Sequence, residues 1–476
     1  MFPGIARALQ KIDDCEPSAV TFTSPATRMV ERTGAFRAIY NLASFLKGRV
    51  PRYDLRDCVR ALTKFETSDD CDKLNMMIQA DRIISRYRHE QIIRILAGVL
   101  DFWNEALDAF QPDAILGEIA CATEWIAWVL AQRRDIAYLI PYPTPVANRF
   151  FFIGEPTGTW AQMQSCYEKL RQRRLSRSEE QLAESFVREF RAKKSKPPFL
   201  AWGQRSLLAP DVRVLFRRAT RIPFRIKSYL ESGGYEVGSY HGTPPWNPIW
   251  QDGLRILRHG FSEWKIFERT IPQGPYIYFP LHVQPEFTTE VRAPFLANQI
   301  AVIENISKSV PISHKIVVKE HPGMQGERQL EFYRRLKLLH NVHLVSATMD
   351  SHDLIWNSDA VITITGSSAW EAVLYEKPVI ALGPLCYGFC DRIYPCREIA
   401  RLPEVIQEAL SGFRPNHELL LKFVSAFHQT AYKLQWGDPI RMPNILEPSN
   451  VRNAAMAILA ELSSRAASCS SELISN

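Results

Sequence analysis

The sequence predicts an α/β protein built on an open, doubly wound parallel sheet, and three observations point to it. Between Tyr276 and Leu382, short β-branched and aromatic runs alternate with amphipathic stretches, giving five strands and four helices. That alternation is the pattern of a sheet covered on both faces. A strand–helix–strand unit over 113–141 repeats the theme in the first half. The 476 residues, 46% of them hydrophobic, provide for two or three domains with full cores. Disorder, collagen and low-complexity fibre are thereby excluded.

The first half reads mainly helical. From Leu74 to Phe110, apolar residues recur at three- and four-residue spacing through Ile78, Ile83, Ile84, Ile92, Ile93, Ile95 and Leu96. The pattern then changes. Asp113-Ala-Ile-Leu-Gly117 predicts a short buried strand, Ile119–Arg133 a helix and Ala137–Pro141 the next strand. Residues 197–255 are rich in Pro, Gly and Trp, with Pro197-Pro198, Gly233-Gly234 and Pro244-Pro245-Trp246, so a domain boundary is placed there.

The second half is clearer. Strands are predicted at Tyr276–His282, Lys315–Lys319, Val342–Val345, Ala360–Thr365 and Pro378–Leu382. The helices between them are Ala293–Ser309, Glu327–His340, Ser351–Asn357 and Ser368–Tyr375. Helices follow at Leu402–Leu410, Asn416–Leu434 and Ser449–Ser464. The expected division is a helix-rich domain over 1–250 with a parallel sheet around 112–142, a second domain over 251–410, and closing helices over 411–476. The Ser-rich end is expected to fray from 465. No internal repeat is visible.

A net charge of +7, from 58 Lys and Arg against 51 Asp and Glu, suits an anionic small molecule or an anionic membrane surface. No zinc finger, RNA-recognition signature or long basic run supports nucleic acid. Two segments concentrate the charge, Arg171–Lys196 and Arg213–Lys227. Solvated helix faces are the plain reading. The alternative is peripheral contact with the inner membrane surface through 171–227, because Phe216, Ile222, Phe224 and Ile226 interleave the bases. The best spanning candidate, Ala114–Ala131, carries Glu118 and Glu124, and Met1–Asp14 lacks the apolar core of a secretory signal.

Nine irregularly spaced cysteines imply reduced thiols and a cytoplasmic setting. Cys386, Cys390 and Cys396 lie close together but lack a Cys-x-x-Cys pair and a fourth ligand, so packed thiols are expected there rather than zinc.

In such a sheet, ligands sit at the carboxyl ends of strands, beside helix N-termini. Three short motifs fall there: Gln284-Pro285-Glu286, Lys319-Glu320-His321-Pro322, and Thr365-Gly366-Ser367-Ser368-Ala369-Trp370-Glu371. Glycine allows a tight turn, two serine hydroxyls and free helix amides make an anion cradle, and Glu371 is placed to meet ribose hydroxyls. Each motif alone is ordinary: a Gly-Ser-Ser after a strand is more often an N-cap, and a His-Pro a turn. Their coincidence on one sheet edge carries the argument.

These motifs, followed by Glu376-Lys377-Pro378-Val379-Ile380, resemble the bacterial capsular polysaccharide biosynthesis family, which includes Kdo transferases. The resemblance covers roughly 275–385, with a weaker echo over 112–150 in Gly117-Glu118 and Pro141-Tyr142-Pro143. It implies a GT-B-like fold of two Rossmann-like domains facing a cleft, with closing helices crossing back to the first domain. It implies a glycosyltransferase moving Kdo from CMP-Kdo onto a surface-polysaccharide or glycolipid acceptor, with the acceptor on the first domain and the nucleotide sugar on the second. The rivals are a UDP- or CDP-dependent epimerase or polyol-phosphate transferase of similar fold, and an inactive glycan-assembly protein.

A CMP-sugar has one phosphate, so hydrogen bonds and a positive partner are expected to serve the leaving group, with no obligatory metal or cofactor. His321 would hold or protonate the departing phosphate beside Ser367 and Ser368. Lys319 is a second cation, unless it points to solvent. Glu286 is expected to be catalytic together with His321 and Glu118, and Gln284, Pro322, Gly366 and Glu371 complete the expected nucleotide-sugar site. The sole Asp-x-Asp, Asp70-Cys71-Asp72, falls in an acidic turn before a helix and is not read as a metal site. The oxocarbenium character of the sugar asks for a carboxylate from the other domain. Glu118, right after a strand, is the first choice and is expected to face His321 and Ser367 across the cleft. Asp113 and Glu124 are the fallbacks, and a helix N-terminal acid is the plain reading of Glu118.

Overall fold

A computed structural model describes residues 1–66, 74–81, 83–198, 220, 222–224, 226–227, 230–231, 247–437 and 442–475. The chain is α/β, as the sequence predicts. Its eleven described strands are β1 (Ala19–Thr21), β2 (Ile39–Asn41), β3 (Ala114–Leu116), β4 (Ala137–Pro143), β5 (Phe150–Ile153), β6 (Tyr276–Pro280), β7 (Lys315–Lys319), β8 (Val342–Val345), β9 (Ala360–Thr363), β10 (Val379–Ala381) and β11 (Ile393–Pro395).

The last six form one parallel sheet in the order β11-β10-β9-β6-β7-β8. The chain starts in the middle, winds outward through β7 and β8, then returns to the other side of β6 at β9. The order therefore reverses between β6 and β9, and a crevice opens there at the carboxyl ends. Strands Ile316–Val318 and Ala360–Thr363 are fully enclosed, which explains their continuous β-branched runs. β11 was not expected, because Ile393-Tyr-Pro395 is too short and too Pro-bounded to signal a strand.

The first half carries two small sheets. β1 and β2 pair in parallel, and β3, β4 and β5 form a three-stranded sheet. β3 and β4 are parallel as expected; β5 adds an antiparallel edge, Phe150 to Ile153 against Pro143 to Ile140. The predicted long helical run over 74–110 is broken. Leu74–Ala80 ends at Asp81, whose Oδ1 accepts the amides of Ile83 and Ile84, and His89–Phe110 begins anew.

The closing helices do cross back. Helix His417–Thr430 lies on helices Ala161–Arg171 and Arg177–Lys193, and helix Pro448–Ser475 lies on Phe2–Ile12. The last helix runs past the Ser463 where the apolar pattern fades. An aromatic cluster joins the halves: Trp370 packs against Phe427 at 4.8 Å, Tyr387 at 5.3 Å, Phe423 at 5.4 Å and Trp160 at 6.1 Å between ring centroids. A contact this large and apolar resists hinge opening.

Several bases of Arg171–Lys196 are paired with acids of the chain. Arg171 pairs with Asp391 at 3.1 Å, Arg173 with Glu179 at 2.6 Å, Arg191 with Glu376 at 3.0 Å and Lys196 with Asp350 at 3.7 Å. Most of Arg213–Lys227 lies outside the described residues, as do Asp70-Cys71-Asp72 and most of the 197–255 boundary. No helix among the described residues is long and apolar enough to cross a membrane.

Candidate functional site

The crevice between β6 and β9 is organised by a histidine that the sequence did not single out. His282 follows β6 and is buried; its Nε2 accepts the Thr365 amide at 3.3 Å and lies 3.3 Å from the Thr363 hydroxyl. Burial, with the charges of His321 and Arg328, pushes its pKa down to about 3, so it is a neutral acceptor that ties the two strand ends together. Gly366 fits against it. A Cβ there would stand 2.9 Å from the Thr363 hydroxyl and 3.0 Å from His282 Nε2, so only glycine allows the approach.

The turn ends in helix Ser368–Leu374. Ser367 is half-buried with no side-chain cap bond, and the Ser368 hydroxyl is buried without a hydrogen-bond partner. Glu371 is also buried, and its Oε2 has no partner. Buried polar atoms are seldom left without a partner. Burial raises the Glu371 carboxyl to about 7, with Lys319 opposing the rise.

Lys319, at the end of β7, does not point to solvent. It is buried, and burial lowers its ammonium to about 8 while the Glu371 charge resists. His321 next to it is half-buried, and its Nδ1 accepts the Gly323 amide at 3.0 Å. That bond leaves the proton on Nε2. Burial and the Lys319 and Arg328 charges lower its pKa to about 4, so His321 offers a neutral N–H donor, not the cation that protonating a phosphate would call for. Pro322 opens the short turn Pro322–Met324 that fixes this geometry.

A buried network stands behind the turn. Glu320 receives Arg328 Nε at 3.1 Å and the hydroxyl of Tyr333, and it accepts the His321 amide. Arg328 also reaches the Gln284 side-chain oxygen at 3.4 Å and the carbonyl of His282. Gln284 thus has a positioning place, its amide donating to Glu290 at 3.1 Å. Glu286 is exposed and accepts from the Thr288 hydroxyl at 2.8 Å. Glu320 stands inside the Lys319-Glu320-His321-Pro322 motif itself. Arg328 gave no local signal, because its partners lie 8 and 46 residues away.

The small sheet turns its carboxyl edge to the same region. Tyr142, near the end of β4, accepts a hydrogen bond from Arg292 Nη1 at 2.6 Å, and Arg292 belongs to the loop after β6. Arg292 is buried with Nε and Nη2 unpartnered. Helix Leu74–Ala80 packs against both Phe287–Glu290 and Ala122–Gln132, continuing the junction.

Glu118 follows β3 on this edge. Its Oε1 accepts from the Trp436 indole at 3.3 Å, and the packing around it raises its pKa although the residue is exposed. Its described partner is thus the closing segment, and no described hydrogen bond or ion pair links it to His321 or Ser367. The fallbacks fare worse. Asp113 precedes β3, at the amino end and away from the working edge. Glu124 is turned onto its own helix, where it accepts the Ala120 and Cys121 amides as a cap; burial raises it to about 8.

Cys386, Cys390 and Cys396 are buried free thiols, and among the described residues no group of three or more His, Cys, Asp or Glu is arranged to hold a metal ion.

Comparison with known proteins bears on this edge. Residues 272–390 match the family model described as capsule polysaccharide biosynthesis protein. This is the family that the strand-end motifs resemble, and the matched stretch holds all three. Protein FixF of Sinorhizobium fredii is 28% identical over 156 residues, which cover 31% of this chain and 36% of that protein. The chain thus matches about a third of the length of that curated relative. Two solved structures of KpsC from Thermosulfurimonas dismutans are similar: the beta Kdo 2,4 transferase (14% identity, 66% of this chain and 78% of that one, TM-score 0.37) and the beta Kdo 2,7 transferase (10%, 87% and 89%, TM-score 0.38). A UDP-GlcNAc 2-epimerase of Methanocaldococcus jannaschii shows 12% identity over 87% of this chain and all of that one, with a TM-score of 0.28. At such scores no residue's role is transferred.

Proposed function

We propose that the protein is a glycosyltransferase that moves Kdo from CMP-Kdo onto a surface-polysaccharide or glycolipid acceptor. The observation that carries this reading is the crevice at the β6/β9 reversal. Its unpartnered buried atoms on Ser368 and Glu371 stand beside Lys319 and His321, all within the stretch that matches the capsule family.

In this reading the bond between the anomeric carbon and the phosphate oxygen of the donor breaks, and CMP leaves with the electron pair. Lys319 meets the phosphate charge, and the His321 Nε2–H and Ser367 and Ser368 hydroxyls hydrogen-bond to it. Glu371 takes the ribose hydroxyls. The acceptor oxygen bonds to the anomeric carbon and yields its proton to a carboxylate, for which Glu118 is proposed; burial raises its pKa and so strengthens it as a base. No bound metal or cofactor is required by this scheme, because the residues themselves supply charge and donors. Glu286, after β6, is proposed as a further catalytic carboxylate of the donor site. The enzyme would act on the cytoplasmic side, in contact with the inner membrane surface.

The test is a calorimetric and thermal-shift comparison of CMP, CDP, UDP and UMP with the full chain. CMP is expected to bind and stabilise most. Tight UDP binding with no response to CMP replaces this reading with the epimerase-like one, and no response to any nucleotide leaves the inactive assembly protein.

A further inference from the structure

Helix Asn247–Lys265 is inside out. Among its described side chains, from Gly253 onward, the buried ones are polar: Arg255, His259 and Ser262. Arg255 donates from Nε to the Gln325 carbonyl at 2.8 Å and pairs with Glu327 at 3.0 Å, and Ser346 donates to Glu263 at 2.6 Å. Gly326 has a positive φ of 71°, and a Cβ there would stand 2.1 Å from the Arg255 carbonyl oxygen, so the helix is pressed onto the turn that follows His321. The outward face is apolar. Ile256 is 45% exposed, Leu257 72%, Phe261 38% and Trp264 69%. They recur at spacings of one, four and three residues, a single stripe. Gly253 and Gly260 lie in the same stripe with open space above them.

A surface helix in water normally presents the opposite faces, so this stripe is built for a partner. We propose that the partner is an anionic lipid surface and that the helix lies on it by its apolar stripe. Three features favour lipid. Trp, Phe, Leu and Ile beside basic residues are the composition of helices that seat at a bilayer interface. The exposed charged residues at the end of the stripe, Lys265 and Arg269, are both basic, and the Lys265 ammonium lies 3.9 Å over the Trp264 ring. The acids Glu263 and Glu268 are half-buried. A second described stretch repeats the composition, with Phe224, Ile226 and Leu230 exposed around Lys227. A second copy of the chain fits less well, because four side chains exposing roughly 500 Å² fall short of the ~800 Å² per partner that stable interfaces bury.

The proposal rests on the functional reading only in its reason for a membrane, a glycolipid acceptor; the docking is measured without donor or acceptor. The full-length protein is mixed with vesicles of phosphatidylcholine alone, or of phosphatidylcholine with phosphatidylglycerol, and the bound fraction is read by flotation. Binding to the anionic vesicles is expected, falling at least tenfold in the double variant Leu257→Gln, Trp264→Gln, with the melting temperature and CMP binding unchanged. Lys265→Glu with Arg269→Glu should remove the preference for anionic over neutral vesicles. No binding of the wild type, or equal binding by the Gln variant, overturns the proposal. So does a dimer in light scattering that the Gln variant abolishes, which assigns the stripe to a second copy. Loss of CMP binding in the wild type sinks the transferase reading and leaves the vesicle result standing.

Discussion

Arg292 donates to the Tyr142 hydroxyl at 2.6 Å, and this one bond joins the loop after the central strand of the large sheet to the end of the small one. Arg292 is buried and Tyr142 half-buried, and Arg292 keeps two further nitrogens without partners. Tyr142→Phe removes this oxygen acceptor and leaves the weaker Cys386 thiol beside Arg292. It should lower stability by about 1–3 kcal/mol, the usual penalty for orphaning a buried polar group. Thermal unfolding reads it directly, and an unchanged melting temperature would mean that the bond is dispensable.

His321→Ala should cut turnover by about two orders of magnitude with the fold intact. His321→Gln, which restores an N–H donor, should recover part of the loss. The neutral state also has a stability signature. The folded value of about 4 lies below the ordinary 6.5, so the unfolded chain binds more protons between them. Its contribution is complete above 6.5 and is lost as pH falls towards 4. Urea titrations at pH 7 and pH 5 should show a smaller drop in His321→Ala than in the wild type.

Lys319 should make nucleotide affinity depend on pH at the alkaline side. Its ammonium, lowered to about 8, is the cation offered to phosphate, and it is neutral above that value. CMP affinity by calorimetry is expected to weaken from pH 7 to pH 9, and Lys319→Gln should be weak at both. A wild type that binds equally at the two pH values removes Lys319 from the phosphate.

Gly366→Ala tests the close approach at the strand crossing. Its methyl group meets the Thr363 hydroxyl and the His282 ring at about van der Waals overlap. The overpacking should cost about 1–3 kcal/mol and displace the Ser367–Ser368 turn. Both a lower melting temperature and weaker CMP binding are expected; normal values for both would show that the turn has slack.

The large sheet was legible because its strands are buried on both faces, so sequence runs such as Lys315-Ile-Val-Val-Lys319 signal themselves without help from distant partners. The placement of Gly366 and His321 at strand ends was legible too. What stayed hidden depends on long-range pairing. Arg292 and Tyr142 are 150 residues apart, and Glu118 meets Trp436 across 318. Lys319 at a strand end read equally as solvated or buried, and only the packing of Glu371 decides it. The fallback role of Glu124 failed for a local reason: Cys121 and Glu124 form a helix-start pair that the spacing already contained.

The stretch recognisable from the family match is not a portable cassette. Trp370 and Tyr387 lie within it, but the rings that cover them, Trp160, Phe423 and Phe427, come from the chain before and after it. Cut out alone, 272–390 would present a wide aromatic wound to water and aggregate. Grafted between relatives, it would need its outside rings to travel with it. The unit that evolution keeps similar is therefore smaller than the unit that can fold, and an inserted or shuffled copy must bring the flanking helices or grow a new lid of its own.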